Sequence, residues 1–211
     1  MLQIFLKGGP IMWPLLLTSL VAVTVAIERL MFIIRERRKR QPDVVENILS
    51  GVERGDLRTA LQRAEGTEDF VARTLIYALE HREQSLSSAL LRAAANELKR
   101  FNRGIAILDT IVTLAPLLGL LGTVTGMIHA FGLLGASELD APAAITGGIA
   151  EALIATAFGL GIAITALIPF NYLNSRLEEA RHEIEDAATH LELLLVKTTA
   201  KTDCVLRAAK P

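Results

Sequence analysis

Apolar residues are not spread evenly along this chain. They gather into three long runs, at residues 11–34, 105–134 and 144–172, with charged and polar sequence between and after them. Crossing the hydrocarbon core of a bilayer takes about 20 residues of helix at 1.5 Å per residue, so each run predicts a transmembrane helix. Pro14 falls in the first turn of the first run, where a missing N–H costs nothing. Glu28 and Arg29 stand near its far end, within snorkelling reach of lipid headgroups. Between the first and second runs the period changes. Residues 43–49, 57–64, 70–81 and 86–100 place apolar side chains three and four apart, with Gly51, Gly55 and Gly66 separating the segments, which predicts a small helical domain. Only Gly104 interrupts the path from the last segment into the second run, so the second helix is expected to start outside the membrane. After the third run, Leu173, Leu177, Ile184, Ala188, Leu191 and Leu195 draw an apolar stripe along a charged segment, and the third helix is expected to project in the same way.

The expected fold class is therefore an all-α integral membrane protein. Its parts are an N-terminal segment at 1–10, spans at 11–34, 105–134 and 144–172, a helical domain at 35–104, a short loop at 135–143 and a C-terminal helix and tail at 173–211. The first run is too long for the apolar core of a signal peptide and is read as a retained helix. Charge sets the orientation. Arg35, Arg37, Arg38, Lys39 and Arg40 follow the first span directly, whereas the loop between the second and third carries Glu138 and Asp140 and no base. The positive-inside bias then places the helical domain and the C-terminus in the cytoplasm, and the N-terminus and the short acidic loop on the outer side of the membrane.

Composition agrees with that picture and narrows the chemistry. Of 211 residues 51% are hydrophobic, too many for an ordinary soluble domain of this size. Twenty-two basic residues balance 23 acidic ones and interleave with them, so there is no basic face for nucleic acid. The single cysteine, Cys204, can make neither an internal disulfide nor a metal site by itself. No phosphate-binding glycine loop, zinc spacing or nucleophile elbow occurs. The chain is accordingly read as non-enzymatic, with no catalytic residue, cofactor or metal site.

One polar group stands out. Glu151 lies inside the third run, where an acid costs roughly 2.5 to 3.5 kcal/mol on insertion scales and so belongs against protein or a wet cavity. At helical spacing Gly147, Glu151, Ala155, Gly159 and Ala163 share a face, a groove that admits a close neighbour. The second run carries Gly119, Gly122 and Gly126 with Thr123, Thr125 and His129, which again marks close helix contact with hydroxyls at hand. The residues alone leave open a plainer reading, in which Glu151 hydrogen-bonds a neighbouring helix and never titrates and the small residues only pack. His129, near one end of its span, and Asp109, near the other, are read as solvated groups outside any relay.

Residues 115–127, APLLGLLGTVTGM, and 147–157, GGIAEALIATA, together resemble the paired signature of the MotA/TolQ/ExbB proton-channel family, and Ile27-Glu28-Arg29-Leu30 at the end of the first span is similar too. The likeness runs in order along nearly the whole chain. It implies a homopentamer around two copies of a single-span partner of the ExbD, TolR or MotB type, whose membrane aspartate lies in the central pore. It also implies a TonB- or TolA-like protein downstream. By position, Glu151 matches the pore-lining acid, and Thr123 and Thr156 match the two threonines that face it. Gly119, Gly122, Gly126, Gly147, Ala155 and Gly159 would pack the pore helices. Three spans resemble the ExbB and TolQ branches and not the four-span flagellar stator, and the short N-terminus favours ExbB-like. Gly147 replaces a common proline and Thr125 a common tryptophan. The implied activity is conversion of proton motive force into mechanical work, and a non-conducting pentameric scaffold is the alternative of a different class.

Overall fold

The computed structural model of the protein describes residues 5, 8–132 and 141–208, and among these the regular structure is all α-helix. Helix α1 is Met12–Arg38, α2 Pro42–Arg54, α3 Leu57–Ala64, α4 Phe70–Glu80, α5 Arg82–Asn102, α6 Ile105–Gly132 and α7 Ala141–Ala208. Helices α1, α6 and α7 each contain a stretch long and apolar enough to cross a membrane. The acidic loop with Glu138 and Asp140 lies outside the described residues, as does the side chain of Cys204. The chain divides into two compact units, Met1–Met31 with Gly104–Asn174 and Phe32–Arg103 with Ser175–Pro211.

The first unit is built from the apolar parts of α1, α6 and α7. Several hydroxyls in these helices bond a carbonyl of their own helix: Thr18 Oγ1 donates to the Leu15 carbonyl and Thr24 Oγ1 to the Leu20 carbonyl, both at 2.8 Å. Ile11 approaches Gly122, while Val25 and Arg29 lie against Gly104, so α1 runs antiparallel to α6. Gly104 has φ +84°, and a β-carbon there would lie 3.0 Å from Arg29 Cδ. This left-handed residue is the joint between α5 and α6, and glycine takes that conformation without the steric cost other residues meet.

The second unit packs α2–α5 with the end of α1 and the later part of α7. Along α7, Leu177, Ala180, Ile184, Ala187, Leu191 and Leu194 are buried. Steps of three and four alternate down this seam, which keeps it on one face of a helix with 3.6 residues per turn. Ala188 and Leu195, expected in the stripe, stand at its edge, half-buried. Gly51 also differs from expectation. It is not a break but an interior residue of α2, and a β-carbon there would overlap Ala60 of α3, so its role is close helix approach.

Ion pairs tie this unit together. Asp69 is fully buried and caps α4, accepting from the Val71 N–H at 2.8 Å and the Ala72 N–H at 3.3 Å. It also accepts from the Gln41 N–H at 2.6 Å and from Arg40. Arg40 bonds Glu183 at 2.6 Å and lies 5.0 Å over the Phe70 ring. Arg40 is thus a structural staple of this unit.

Glu36, two residues past the apolar stretch and outside the membrane-spanning segment, is buried with its Oε1 lacking a hydrogen bond; Arg100 is 3.9 Å away. Burial pushes its carboxyl above the ordinary range; Arg100 and Lys39 pull it down, Glu97 pushes it up and Arg73 pulls it down. A group that holds its proton more tightly folded than unfolded adds stability below its unfolded value, about 4.3, and that contribution is lost as the pH rises through the folded value. Thermal unfolding of the parent should therefore show a stability component that falls as the pH rises above the unfolded value, about 4.3. Glu36→Gln should flatten that slope. Equal slopes in parent and variant would mean that Glu36 is not the titrating group.

Candidate functional site

Helices α6 and α7 meet along a seam with almost no side chains. Gly119 faces Thr156 and Gly159, Gly122 faces Ala155, and Gly126 faces Ala152 and Gly148, so the two helices run antiparallel. A β-carbon at Gly159 would lie 2.5 Å from the Ala115 carbonyl oxygen and 3.0 Å from Gly119 Cα. One at Gly122 would lie 2.5 Å from Ala155 Cβ. Lipid tails are as apolar as the side chains they touch, so burial does not drive helices together there, and backbone approach and interhelical hydrogen bonds do. Thr156 supplies one such bond: its Oγ1 donates to the Gly119 carbonyl at 3.1 Å and lies 3.3 Å from the Ala152 carbonyl of its own helix.

Glu151 stands at the edge of this seam. Ala152 and Ala155 beside it are buried against α6, whereas the half-buried Glu151 turns its carboxylate toward Gly9, just ahead of α1. It is the sole titratable residue of α7 between positions 146 and 171. Five residues separate it from Thr156, about 140° around the helix at 100° per residue, so the two side chains leave α7 on different faces. Thr123 donates to the Leu120 carbonyl at 2.6 Å within α6. Among the described residues, then, the structure gathers Gly119, Gly122, Gly126, Ala155, Thr156 and Gly159 into one seam. It does not link Glu151, Thr123 and Thr156 by hydrogen bonds within a single chain.

Two positions add to the sequence reading. A β-carbon on Gly147 would meet nothing within 4 Å in the chain, while one on Gly148 would lie 2.5 Å from Ala130 Cβ, so the close contact at this turn belongs to Gly148. Gly9 was missed altogether. Its signal was the Gly-Gly-Pro at 8–10 ahead of the first run, a combination that marks a turn needing positive φ. His129 and Asp109 are exposed in the chain.

A lone carboxylate among alanines and glycines, with no charged neighbour on its own helix, is suited to taking up and releasing a proton; the threonine hydroxyls are suited to holding helices or water. Large apolar side chains remain exposed on all three long helices, among them Leu17 and Leu20 on α1, Leu117 and Ile128 on α6, and Leu153 and Ile168 on α7. Such faces belong against lipid or other helices.

Residues 57–186 match the sequence model of the MotA/TolQ/ExbB proton channel family. The chain is 40% identical over 202 residues to the biopolymer transport protein ExbB-like 1 of Synechocystis, covering 92% of this chain and 78% of that protein. It is 34% identical over 200 residues to ExbB-like 3 of the same organism, covering 90% and 92%. The biopolymer transport protein ExbB of Neisseria gonorrhoeae is 38% identical over 102 residues, covering 48% of this chain and 46% of that one.

Proposed function

Because the chain belongs to the MotA/TolQ/ExbB proton channel family, on its ExbB-like branch, we propose that it is the proton-conducting stator subunit of an inner-membrane motor. The observation that carries this reading is Glu151, an acid held among small residues in an apolar helix and left half-buried by its own chain. Protons enter from the periplasmic side, reach a partner's membrane aspartate, and leave toward the cytoplasm past Glu151, Thr123 and Thr156. One charge moving down 100 mV yields about 2.3 kcal/mol, so several protons drive each substantial step.

Five copies form a ring, with α6 and the first part of α7 toward the pore and α1 outside. Two copies of an ExbD- or TolR-type single-span protein occupy the pore, and a TonB-like protein carries the work to the outer membrane; a TolA-like one would do so in the TolQ case. The glycine and alanine seam of α6 and α7 supports a closely packed inner layer, and the Leu, Val and Ile faces of α1 suit lipid. The relatives' description as biopolymer transport proteins supports cargo uptake as the output. One observation favours the scaffold reading: the hydroxyls of Thr123 and Thr156 bond backbone carbonyls, as packing groups would.

Uptake across the outer membrane, in cells that lack their own subunit and receive this chain with its single-span partner, separates the two. The motor reading expects uptake to return and to stop when a protonophore collapses the gradient. Restored uptake that ignores the protonophore would leave the scaffold.

A further inference from the structure

The carboxylate of Glu151 stands in the space that a side chain at Gly9 would fill. A β-carbon built at Gly9 would overlap Glu151 Oε1 and lie 2.7 Å from its Cδ and 3.2 Å from its Cγ. Gly9 has φ +71°, in the left-handed region that favours glycine. Pro10 follows and restricts it further, away from helical values. The turn is held at both ends: the Gly8 N–H donates to the Phe5 carbonyl at 3.1 Å, and the Met12 N–H donates to the Gly9 carbonyl at 3.2 Å. Gly8 is buried, with the Ile154 methyl 3.1 Å from where its own β-carbon would be, and Met12 is 1% exposed. The turn therefore rests on α7 one helical turn along from the acid.

We propose that Gly9 is a positioning residue for Glu151: by lacking a side chain, the turn at residues 8–10 leaves the seat in which the carboxylate stands and fixes its location. The step rests on the reading that Glu151 exchanges the transported proton. The first helix thereby acquires a function beyond facing lipid, since its leading turn sets where the acid meets the proton. The Glu151 side chain is the movable party. A methyl group at Gly9 displaces a flexible carboxylate and leaves the backbone of α7 in place. Of the titratable groups on the packed elements, α6 brings His129, one turn beyond Gly126, α7 brings none nearby besides Glu151, and on α1 Glu28 and Arg29 stand at the opposite end.

Two measurements on the full-length protein test this. In the first, Gly9→Ala is compared by thermal unfolding in the parent and in a Glu151→Ala background, with Gly55→Ala as the control for strain alone, because Gly55 has φ +78° and open space around it. The loss of melting temperature caused by Gly9→Ala is expected to shrink by half or more in the Glu151→Ala background, toward that of Gly55→Ala. Equal losses in both backgrounds would overturn the proposal, whatever the channel does. In the second, proton flux with the partner is followed against pH. Gly9→Ala is expected to lower flux by about tenfold or more and to move the pH midpoint, while Gly55→Ala changes neither. Parent-like flux and midpoint in Gly9→Ala, with Glu151→Gln inactive, would overturn the positioning role alone; parent-like flux in Glu151→Gln would instead overturn the reading on which it rests.

Discussion

Gly159→Ala should lower the thermal stability of the membrane unit by about 1–3 kcal/mol, and Gly159→Leu should prevent the α6–α7 pair from closing. The added carbon would meet the Ala115 carbonyl oxygen at 2.5 Å and the Gly119 backbone at 3.0 and 3.2 Å. Those are main-chain atoms of a helix, which cannot swing aside as a long side chain can. The helices must separate instead, and separation stretches the 3.1 Å hydrogen bond from Thr156 to Gly119. The seam has little else to hold it, because apolar burial does not pull helices together in lipid. Gly161 is the internal control: it lies two residues along in the same span, and a β-carbon there would meet nothing within 4 Å of its own chain. For a chain of this size 1 kcal/mol moves the melting temperature by about 2–4 °C, so Gly159→Ala should fall several degrees below Gly161→Ala. Equal behaviour of the two variants would mean that the α6–α7 contact is not what Gly159 serves.

The membrane helices were legible in the sequence because run length and apolarity alone identify them, and no tertiary contact can turn such a run into a loop in lipid. Their ends were less so. Hydropathy stops at Ile34, where charges begin, yet α1 continues through Arg38. Arginine, glutamate and lysine are good helix formers, and Arg40 just beyond is anchored by Asp69 and Glu183. In the second compact unit the glycines misled. A glycine between apolar segments reads as punctuation, and Gly55 is such a case, with φ +78° at the end of α2; Gly51 instead lies inside α2 with Ala60 against it, a contact that local sequence cannot show.

The same limit governs the site. Glu151 and the rows of glycine and alanine were visible because an acid in lipid is expensive and because small residues three and four apart fall on one face. The choice between Gly147 and Gly148 was not, since adjacent residues differ by about 100° around the helix and the packing partner, Ala130, decides it. The contact between Glu151 and Gly9 joins residues far apart along the chain. Periodicity within one helix carries no trace of that contact.

Glu151→Gln in vesicles tests the central claim most directly. Glutamine keeps the shape of the side chain and most of its hydrogen bonding, so the fold and the proposed ring should survive, but it can neither take up nor release a proton. A positioned side chain that transfers protons contributes about 10²–10⁴-fold, so even a bypass through water should leave the variant at least tenfold slower. Thr123→Val and Thr156→Val should slow transport less, because a water molecule can substitute for a lost hydroxyl. The measurement is proton uptake under an imposed membrane potential by vesicles that contain the protein and the proposed single-span partner. The account predicts that flux collapses in Glu151→Gln while the assembled complex remains intact; undiminished flux in that variant would contradict it.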